Sequence, residues 1–441
     1  MKKPFVIILL AALLSQPTAA QTPWSLRQCC EYAVSHNISI KQRENQQKQR
    51  ELQLSTAKNS RLPDLSASAS ESFSFGRGLT LDNTYTNRST SSTSFSLGTS
   101  VPLFTGFQIP NQIKLNQLNL EAATQDLEKA RNDIQMQVAQ AYVQILYDME
   151  LADVAHRQID IDSAQVLRLE AFVKNGKASH AELSQQKSTL AQARLTATQA
   201  DNNLQLAILA LTQLLELPSP ESFTIVRPDI ATASVGFPTG LSPDAIYQEA
   251  LAIKPEVQAE QLRLSAADRS IDIARAGNYP TLSLSAGLQT NYYKTNGMPA
   301  DAFGTQLRNN FSQYIGLNLS VPIFNRFSTR NNIRSAKIER ENQQLQFENV
   351  KKTLYKDIQQ VYYNAVAAQA KYRSSEAAAL SSKDAFTLVQ AKYENGKSTI
   401  TEFNESKNNY LRAESDLVQA RYEYLYQTTL IDFYRGRELN F

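Results

Sequence analysis

Residues 110–173 decide the fold, and they read PNQIKLNQLNLEAATQDLEKARNDIQMQVAQAYVQILYDMELADVAHRQIDIDSAQVLRLEAFV. After Pro110 this stretch contains neither proline nor glycine, so it predicts one unbroken helix of about 95 Å at 1.5 Å per residue. Apolar residues recur along it every seven positions, which is the spacing of a coiled-coil seam: Val138, Ile145, Ala152, Ile159 and Val166. The stretch therefore predicts a very long helix with a narrow apolar seam.

The same helix occurs twice in the chain. Positions 220 residues further on are again apolar: Ile358, Ala365, Tyr372, Ala379 and Phe386. The sequence SVPLF at 100–104 recurs as SVPIF at 320–324, and NGK at 175–177 recurs at 395–397. The chain is therefore predicted to be an internal duplication. Since the distance from strand end to turn is conserved to the residue, the two turns are expected to lie level in space.

A helical hairpin is expected in each copy. Asn175-Gly176 is a helix C-terminal signal, and Ser179 with Glu182 three residues later has the arrangement of a capping box. A return helix with its own seven-residue repeat follows in both copies. The predicted hairpins cover about 110–216 and about 330–434, and shorter helices are expected from Trp24 to about Arg61 and over about 243–276.

Two alternating segments lie ahead of each long helix. Apolar residues such as Leu65 and Ala67 alternate with serines, which is the period of a strand with one polar face. The predicted strands are about 63–76, 93–104, 280–293 and 312–324, with polar loops at 76–92 and 294–310. Strands of this length can cross a bilayer, although a strand pair buried on one face in a soluble protein would look similar. Three features favour strands that cross a membrane: the N-terminal segment 1–20, which is predicted to be a signal peptide, the long polar loop, and the strand face of serine and glycine.

The chain divides into a predicted signal peptide (1–20), a first structural repeat (21–217), a connector (218–242) and a second structural repeat (243–441). Loss of Lys2 and Lys3 would leave 43 basic against 42 acidic residues, which argues against a nucleic-acid partner. Adjacent Cys29 and Cys30 are expected to be small buried residues of a helix. The sequence contains no catalytic motif and no paired ligand spacing, so neither enzyme activity, nor a cofactor, nor a metal site is expected.

Four membrane strands in one chain cannot close a barrel, and an open edge in lipid leaves backbone groups unpaired at several kcal/mol each. Two chains would supply eight strands, whose interior fills with side chains, whereas three supply twelve and leave a lumen. The expected fold class is mostly α with a membrane β-barrel part. The expected assembly is a homotrimer in which a twelve-stranded barrel continues into an α-helical periplasmic tunnel.

The order helix–strand–strand–long helix–turn–helix, together with the SVP(L/I)F strand ends and the two NGK turns, resembles the TolC-like outer-membrane efflux proteins. The resemblance covers essentially all of 21–441. It implies a trimeric channel in the outer membrane of a Gram-negative bacterium, surrounded by outer-membrane lipid and extending into the periplasm. A periplasmic membrane-fusion adaptor and an inner-membrane pump of the RND, ABC or MFS type would be its partners.

The resemblance also implies a periplasmic gate at the second turn. The family's acidic pair matches Glu402 and Glu405, the corresponding position of the first copy is Glu182, and the family's tyrosine matches Tyr393. The family's basic residue two positions after the glycine is Ser398 here, so a salt-bridge latch of that type is expected to be altered or missing. From the residues alone, the favoured interpretation of Glu402 and Glu405 is an ordinary solvated helix start, where acidic side chains suit the helix dipole.

The four tip residues Gly176, Lys177, Gly396 and Lys397 are the candidate adaptor contacts, the alternative being that glycine ends a helix and lysine keeps it soluble. Two other functions stay open. A periplasmic or surface coiled-coil scaffold or adhesin would explain the seven-residue repeats but not the four alternating strands. Type I protein secretion would use the same kind of channel as drug efflux, and the exported substrate is not encoded in any motif.

Overall fold

A computed structural model of the chain describes residues 23–79, 82–221, 223–228, 242–437 and 439. The predicted signal peptide and residues 229–241 of the predicted connector lie outside the described residues. The chain forms two compact units, the first from Met1–Arg43, Leu127–Pro255 and Lys351–Phe441, and the second from Glu44–Asp126 and Glu256–Val350. Each unit takes segments from both halves of the chain, so the compact units differ from the sequential repeats.

The first half of the chain contains α1 (Leu26–His36), α2 (Ile38–Asn59), β1 (Ser66–Leu79), β2 (Tyr85–Thr105), α3 (Gln108–Lys174) and α4 (His180–Leu214). The second half contains α5 (Pro243–Ile253), α6 (Pro255–Ala276), β3 (Thr281–Thr295), α7 (Phe303–Asn309), β4 (Ser312–Ser320), α8 (Ser328–Glu394) and α9 (Ile400–Tyr434). Both long helices have 67 residues and both return helices have 35. The predicted duplication of equal hairpins is confirmed.

The short helices differ from the prediction, because each expected continuous helix is broken once, at Asn37 and at Lys254. Both residues are buried and have extended backbone (ψ 131° and 124°). Lys254 precedes a proline, which disfavours helical backbone, and the Asn37 side chain accepts a hydrogen bond from the Ser39 amide at 2.9 Å. Each also donates to the end of a return helix, Asn37 to the Leu214 carbonyl and Lys254 to the Phe433 carbonyl, both at 3.1 Å.

The core of the first unit is built on the seven-residue repeats of the sequence. In each long helix four of the five seam residues are buried, and the remaining one, Ile159 or Tyr372, is half-buried. The repeat residues Leu190, Ala197 and Leu211 of α4 are buried as well. Since apolar side chains on one helix stripe need a partner surface, the hairpins pack along these seams.

The second unit contains one antiparallel sheet in the order β1-β2-β3-β4. Three of the four strands begin within about three residues of the predicted positions. Strand β2 begins at Tyr85 instead of residue 93, because residues 85–92 of the predicted loop pair with 72–79 of β1. The predicted loop 294–310 contains α7, and β4 ends at Ser320, four residues earlier than expected.

The sheet has one polar and one apolar face. On the polar face serine hydroxyls meet across β1 and β2, with Oγ–Oγ distances of 2.7 Å for Ser68–Ser96 and for Ser70–Ser94. On the other face large apolar side chains are exposed, among them Leu65 (74%), Ile315 (76%) and Leu317 (68%). A face of this size and polarity needs an apolar environment outside the single chain.

The apolar face carries one carboxylate, that of Glu71. It accepts a hydrogen bond from Ser91 Oγ at 2.7 Å and another from Thr93 Oγ1.

Among the helices of the described residues, none combines the length and the apolar character needed to cross a membrane.

Candidate functional site

The two hairpin turns have the same backbone structure. Gly176 (φ +68°) donates to the Val173 carbonyl at 3.0 Å, and the next amide, that of Lys177, donates to the Phe172 carbonyl at 2.8 Å. Gly396 (φ +70°) and the residue after it repeat both bonds at 3.0 and 2.9 Å. This pair of bonds is the Schellman motif, in which a left-handed glycine ends the helix. The candidate contact residues Gly176, Lys177, Gly396 and Lys397 are all exposed.

A capping box begins each return helix, as predicted at Ser179. The Glu182 amide donates to Ser179 Oγ at 3.1 Å, and the Ser179 amide donates to the Glu182 carboxylate at 3.0 Å. Thr399 and Glu402 form the same pair of bonds at 3.2 and 2.9 Å. Two of the predicted gate carboxylates, Glu182 and Glu402, therefore also satisfy backbone amides at a helix start.

Glu402 accepts a further hydrogen bond, from Ser398 Oγ. This bond and the Thr399 amide stabilise the ionised carboxylate and hold the pKa of Glu402 below its ordinary value. Ser398 therefore contacts the Glu402 carboxylate directly, in the position where the family pattern has a basic residue. Glu405 is exposed on the same helix, three residues further on.

Tyr393 lies half-buried where α8 meets α3. Its hydroxyl accepts a hydrogen bond from Gln165 Nε2, and its ring lies 5.0 Å from the Phe403 ring. Burial raises the pKa of Tyr393, the Arg168 guanidinium lowers it by a smaller amount, and the Glu182 charge raises it. The structure thus brings the predicted residues Tyr393 and Glu182 within electrostatic reach of each other.

Arg168 on α3 was not found from the sequence, and it joins the two turns. Its guanidinium lies 5.3 Å from the Phe172 ring centroid and 5.2 Å from that of Tyr393. It also donates to the Glu394 carbonyl, the last of α8, at 3.1 Å. A cation at a helix C-terminus is favourable, and so is one over an aromatic face. A basic side chain from α3 therefore packs against the second turn.

A buried ion pair also escaped the sequence analysis. Lys407 Nζ on α9 contacts the Asp162 carboxylate on α3, and both side chains are 0% exposed. Gln186 of α4 donates to the same carboxylate at 3.0 Å, and Asn404 donates to Gln186 Oε1 at 3.1 Å. The cluster joins three helices from both hairpins. Within the described residues no three side chains among His, Cys, Asp and Glu are placed to hold a metal ion.

Comparisons with known proteins agree with this architecture. A family model described as "Outer membrane efflux protein" matches residues 31–216 and 246–434. The chain is 26% identical over 326 residues to Protein CyaE of Bordetella pertussis, covering 68% of this chain and 62% of that protein. It is 26% identical over 306 residues to the pyoverdine export outer membrane protein OpmQ of Pseudomonas aeruginosa, covering 69% and 61%. The chain thus spans about three-fifths of the length of these curated relatives.

A solved structure shares the fold. The Campylobacter jejuni CmeC outer membrane channel superimposes with a TM-score of 0.77 at 19% identity, covering 94% of this chain and 87% of that one. The predicted fold class, a mostly helical duplicated chain with a strand part, is confirmed. The family match accounts for the larger part of both halves, hairpins and strands included. The chain belongs to the outer membrane efflux protein family.

Proposed function

We propose that this outer-membrane protein is the channel of a tripartite efflux or type I secretion system. It would give cargo a passive path from an inner-membrane pump and a periplasmic adaptor to the outside. The observation that carries the proposal is the sheet: its apolar face is exposed, its opposite face is polar, and its edge strands β1 and β4 each have one strand neighbour in the described chain. Such a sheet requires lipid on one face, water on the other and strands from further copies at both edges.

Three copies satisfy these requirements, because twelve strands close a barrel with a lumen. The homotrimer is tested by mass measurement and electron microscopy of the protein in mild detergent. Threefold particles with a short barrel and a long tube are expected. Monomers, or rods without a barrel, would instead support a coiled-coil scaffold or adhesin.

The polar face suggests how the barrel treats its cargo. From Thr90 to Ser100 of β2, and along β1, β3 and β4, this face consists of Ser, Thr, Gly, Asn, Gln and Tyr, without a charged side chain. A neutral wall exerts little charge selection, since selection by a pore requires fixed charges or a ring of dipoles. Charge selection would then lie at the periplasmic tip.

The proposed gate consists of Glu402, Glu405, Glu182 and Tyr393. Around a threefold axis the Glu402 and Glu405 carboxylates would repel each other and attract cations. Single-channel recording of Glu402→Gln/Glu405→Gln tests this: conductance should rise or cation preference should fall. Glu339→Gln, on the exposed surface of α8, is the matched control for loss of one charge. Unchanged conductance and selectivity in the double variant would remove the gate.

The two equivalent turns are proposed to bind the adaptor through Gly176, Lys177, Gly396 and Lys397. Their exposure and their identical backbone structure support this role, since a threefold assembly would present six copies of one turn. The pump is expected to be of the RND, ABC or MFS type. Cross-linking from a photoreactive side chain at Lys177 or Lys397 in cells should capture the adaptor, while the same group at Lys48 on α2 is the control.

The conduit itself is tested in cells that lack this chain. They should retain a fluorescent efflux substrate, or fail to release a secreted protein, and the intact chain should restore export. Normal export by cells that lack the chain would contradict the proposal, provided that wild-type cells produce the chain under the same growth conditions.

A further inference from the structure

A pocket of about 470 Å³ lies in the first unit, where α3, α4 and α9 meet. Its floor is formed by α3, and its two walls are formed by α4 and α9. Apolar lining residues come from all three helices: Leu151, Val154, Ala155, Ala200 and Leu411. Pockets that bind small organic molecules span about 300–1,000 Å³, so this one has room for such a ligand.

The pocket lining contains a buried carboxylate, that of Asp148, which is 6% exposed. It accepts a hydrogen bond from Gln144 Nε2, one turn earlier on α3, at 3.0 Å, and it forms no ion pair with any described residue. Burial raises the pKa of Asp148, and the bond from Gln144 offsets part of that rise. Because a buried charge is costly unless it is paired, a cation in the pocket would stabilise this carboxylate.

The second half of the chain shows that helix packing does not require an acid at this position. The residue 220 positions after Asp148 is Ala368, which is buried in α8 at 1% exposure. The neighbouring floor residue Leu151 corresponds to Lys371. The combination of a buried carboxylate with an apolar floor is therefore a property of the first copy, and the duplicated packing does not explain it.

The mouth of the pocket carries polar groups that are free to meet a ligand. Arg412 and Asp416 of α9 are exposed lining residues, and neither forms a hydrogen bond or an ion pair with a described residue. One basic side chain against two acidic ones, with Asp148, gives the lining a net charge of −1. Tyr147 adds an aromatic ring, and aromatic faces attract organic cations.

The pocket lies on the side of α3 that is turned away from the connector. Arg227 of the connector pairs with Asp153 of α3 at 2.8 Å. With 3.6 residues per turn, Asp148 lies about 140° around the helix from Asp153, and Leu151 lies about 160° from it. A conduit has to keep its centre free of chain segments. In the proposed channel the connector therefore lies outside and the pocket faces the passage.

The chemistry of the lining favours one class of ligand. A metal ion needs several oxygen ligands, and within the described residues no three side chains among His, Cys, Asp and Glu are placed to hold one. An anion would be repelled by Asp148, and a neutral molecule would leave its charge unpaired. A cation with an apolar body would satisfy both the carboxylate and the apolar floor.

We propose that this pocket binds an amphipathic organic cation, with the charged group of the ligand at Asp148 and its apolar body against Leu151, Val154 and Leu411. The role of the bound molecule rests on the proposed function, since the ligand would be cargo on its way through the channel. Weak binding is expected, because a site along a conduction path has to release its occupant.

Tetraphenylphosphonium and tetraphenylborate test the proposal, because they have the same shape and opposite charge. Each is titrated by calorimetry into the purified protein in mild detergent. The same titration of Asp148→Asn corrects for uptake by the detergent. Asp160→Asn is the matched control, since Asp160 is an exposed acid of α3 that does not line the pocket.

Tetraphenylphosphonium should bind the wild-type protein and Asp160→Asn equally, and Asp148→Asn more weakly by about tenfold or more, because the variant loses the attracting charge. Tetraphenylborate should give the same heat with all three proteins. Equal phosphonium binding by the wild type and Asp148→Asn, or no saturable binding by the wild type, would overturn the proposal.

A second variant keeps the test valid if Asp148→Asn fails to fold, which circular dichroism would show. Ala200→Phe fills the pocket from α4 and leaves its charges unchanged. It should weaken phosphonium binding as well, because the apolar body of the ligand loses its space. Undiminished binding by Ala200→Phe would show that the ligand sits elsewhere and would overturn the proposal.

Export in cells separates this inference from the proposed function. Cells with Asp148→Asn should export a cationic dye more slowly than cells with Asp160→Asn, and equal rates would overturn the role of the pocket in export. If phosphonium binds as expected but cells without the chain export normally, the proposed function fails and the pocket stands. If the chain restores export but does not bind phosphonium, the pocket fails and the function stands.

Discussion

Replacing Lys407 by methionine should destabilise the protein far more than its single charge suggests. The substitution keeps the length of the side chain but leaves the Asp162 carboxylate, which is 0% exposed, with the Gln186 amide as its one remaining hydrogen-bond donor among the described residues. Removal of one partner from a buried ion pair costs about 3–5 kcal/mol. The protein therefore should lose about that amount of unfolding free energy at neutral pH.

The double variant Lys407→Met/Asp162→Leu should be more stable than Lys407→Met alone. Apolar replacement of both partners is often neutral, but the Gln186 amide then loses its acceptor, which costs about 1–3 kcal/mol. The net loss for the double variant is therefore about 1–3 kcal/mol. A rescue of this kind identifies an unpaired charge, rather than lost packing, as the cause of the instability.

Guanidinium unfolding in detergent, followed by far-UV circular dichroism at one fixed protein concentration, measures both variants. Lys371→Met is the matched control, because Lys371 pairs with Glu423 at 2.7 Å with both side chains 43% exposed. It should cost less than about 1 kcal/mol. If Lys407→Met costs no more than Lys371→Met, or if the double variant is less stable than the single one, the buried-charge argument is wrong.

Three further predictions concern the tips and the thiols. Ser398→Ala removes the strongest hydrogen-bond donor to Glu402, so the pKa of that carboxyl should rise toward its ordinary value. In a single-channel titration, the pH at which the carboxylate becomes protonated should therefore move upward. A downward shift would contradict the assignment. Gly396→Ala should cost about 1–2 kcal/mol through backbone strain alone, because an added Cβ meets nothing within 4 Å, and the melting temperature of the trimer would show it. Cys29 and Cys30 should resist maleimide at pH 8 until the protein unfolds, whereas a cysteine placed in either tip turn should react at once.

The features that depend on a local sequence pattern could be predicted. The seven-residue repeat located the seams, since a coiled-coil seam needs an apolar residue at that spacing whatever the partner. Asn175-Gly176 and Ser179 located the first turn, because a left-handed glycine and a capping hydroxyl are requirements of the backbone itself. For the same reason the second turn was found at the corresponding positions.

The features that were not predicted from the sequence depend on contacts between residues that are far apart in the chain. Asp162 and Lys407 are 245 residues apart, and each alone has the character of a surface residue, so their burial follows only from the packing of three helices. Arg168 likewise gains its role from an aromatic ring on another helix. The start of β2 was missed because residues 85–92 are polar, and pairing with β1, not an apolar pattern, makes them a strand.

The helix lengths show where this chain tolerates inserted residues. The short helices of the two halves are offset by 217 residues and the long helices by 220, and the three extra residues lie in 277–327, which corresponds to 60–107 of the first half. All the length variation between the halves has therefore accumulated among the strands and their outer loops. An epitope inserted at 296–302 should be accommodated there, whereas one residue added within α3 would rotate every later seam position by about 100° and put the two tips out of step. Homologues of this protein should thus differ in the length of their outer loops. Their hairpins should keep a constant length, which can change only if α3, α4, α8 and α9 all lengthen together.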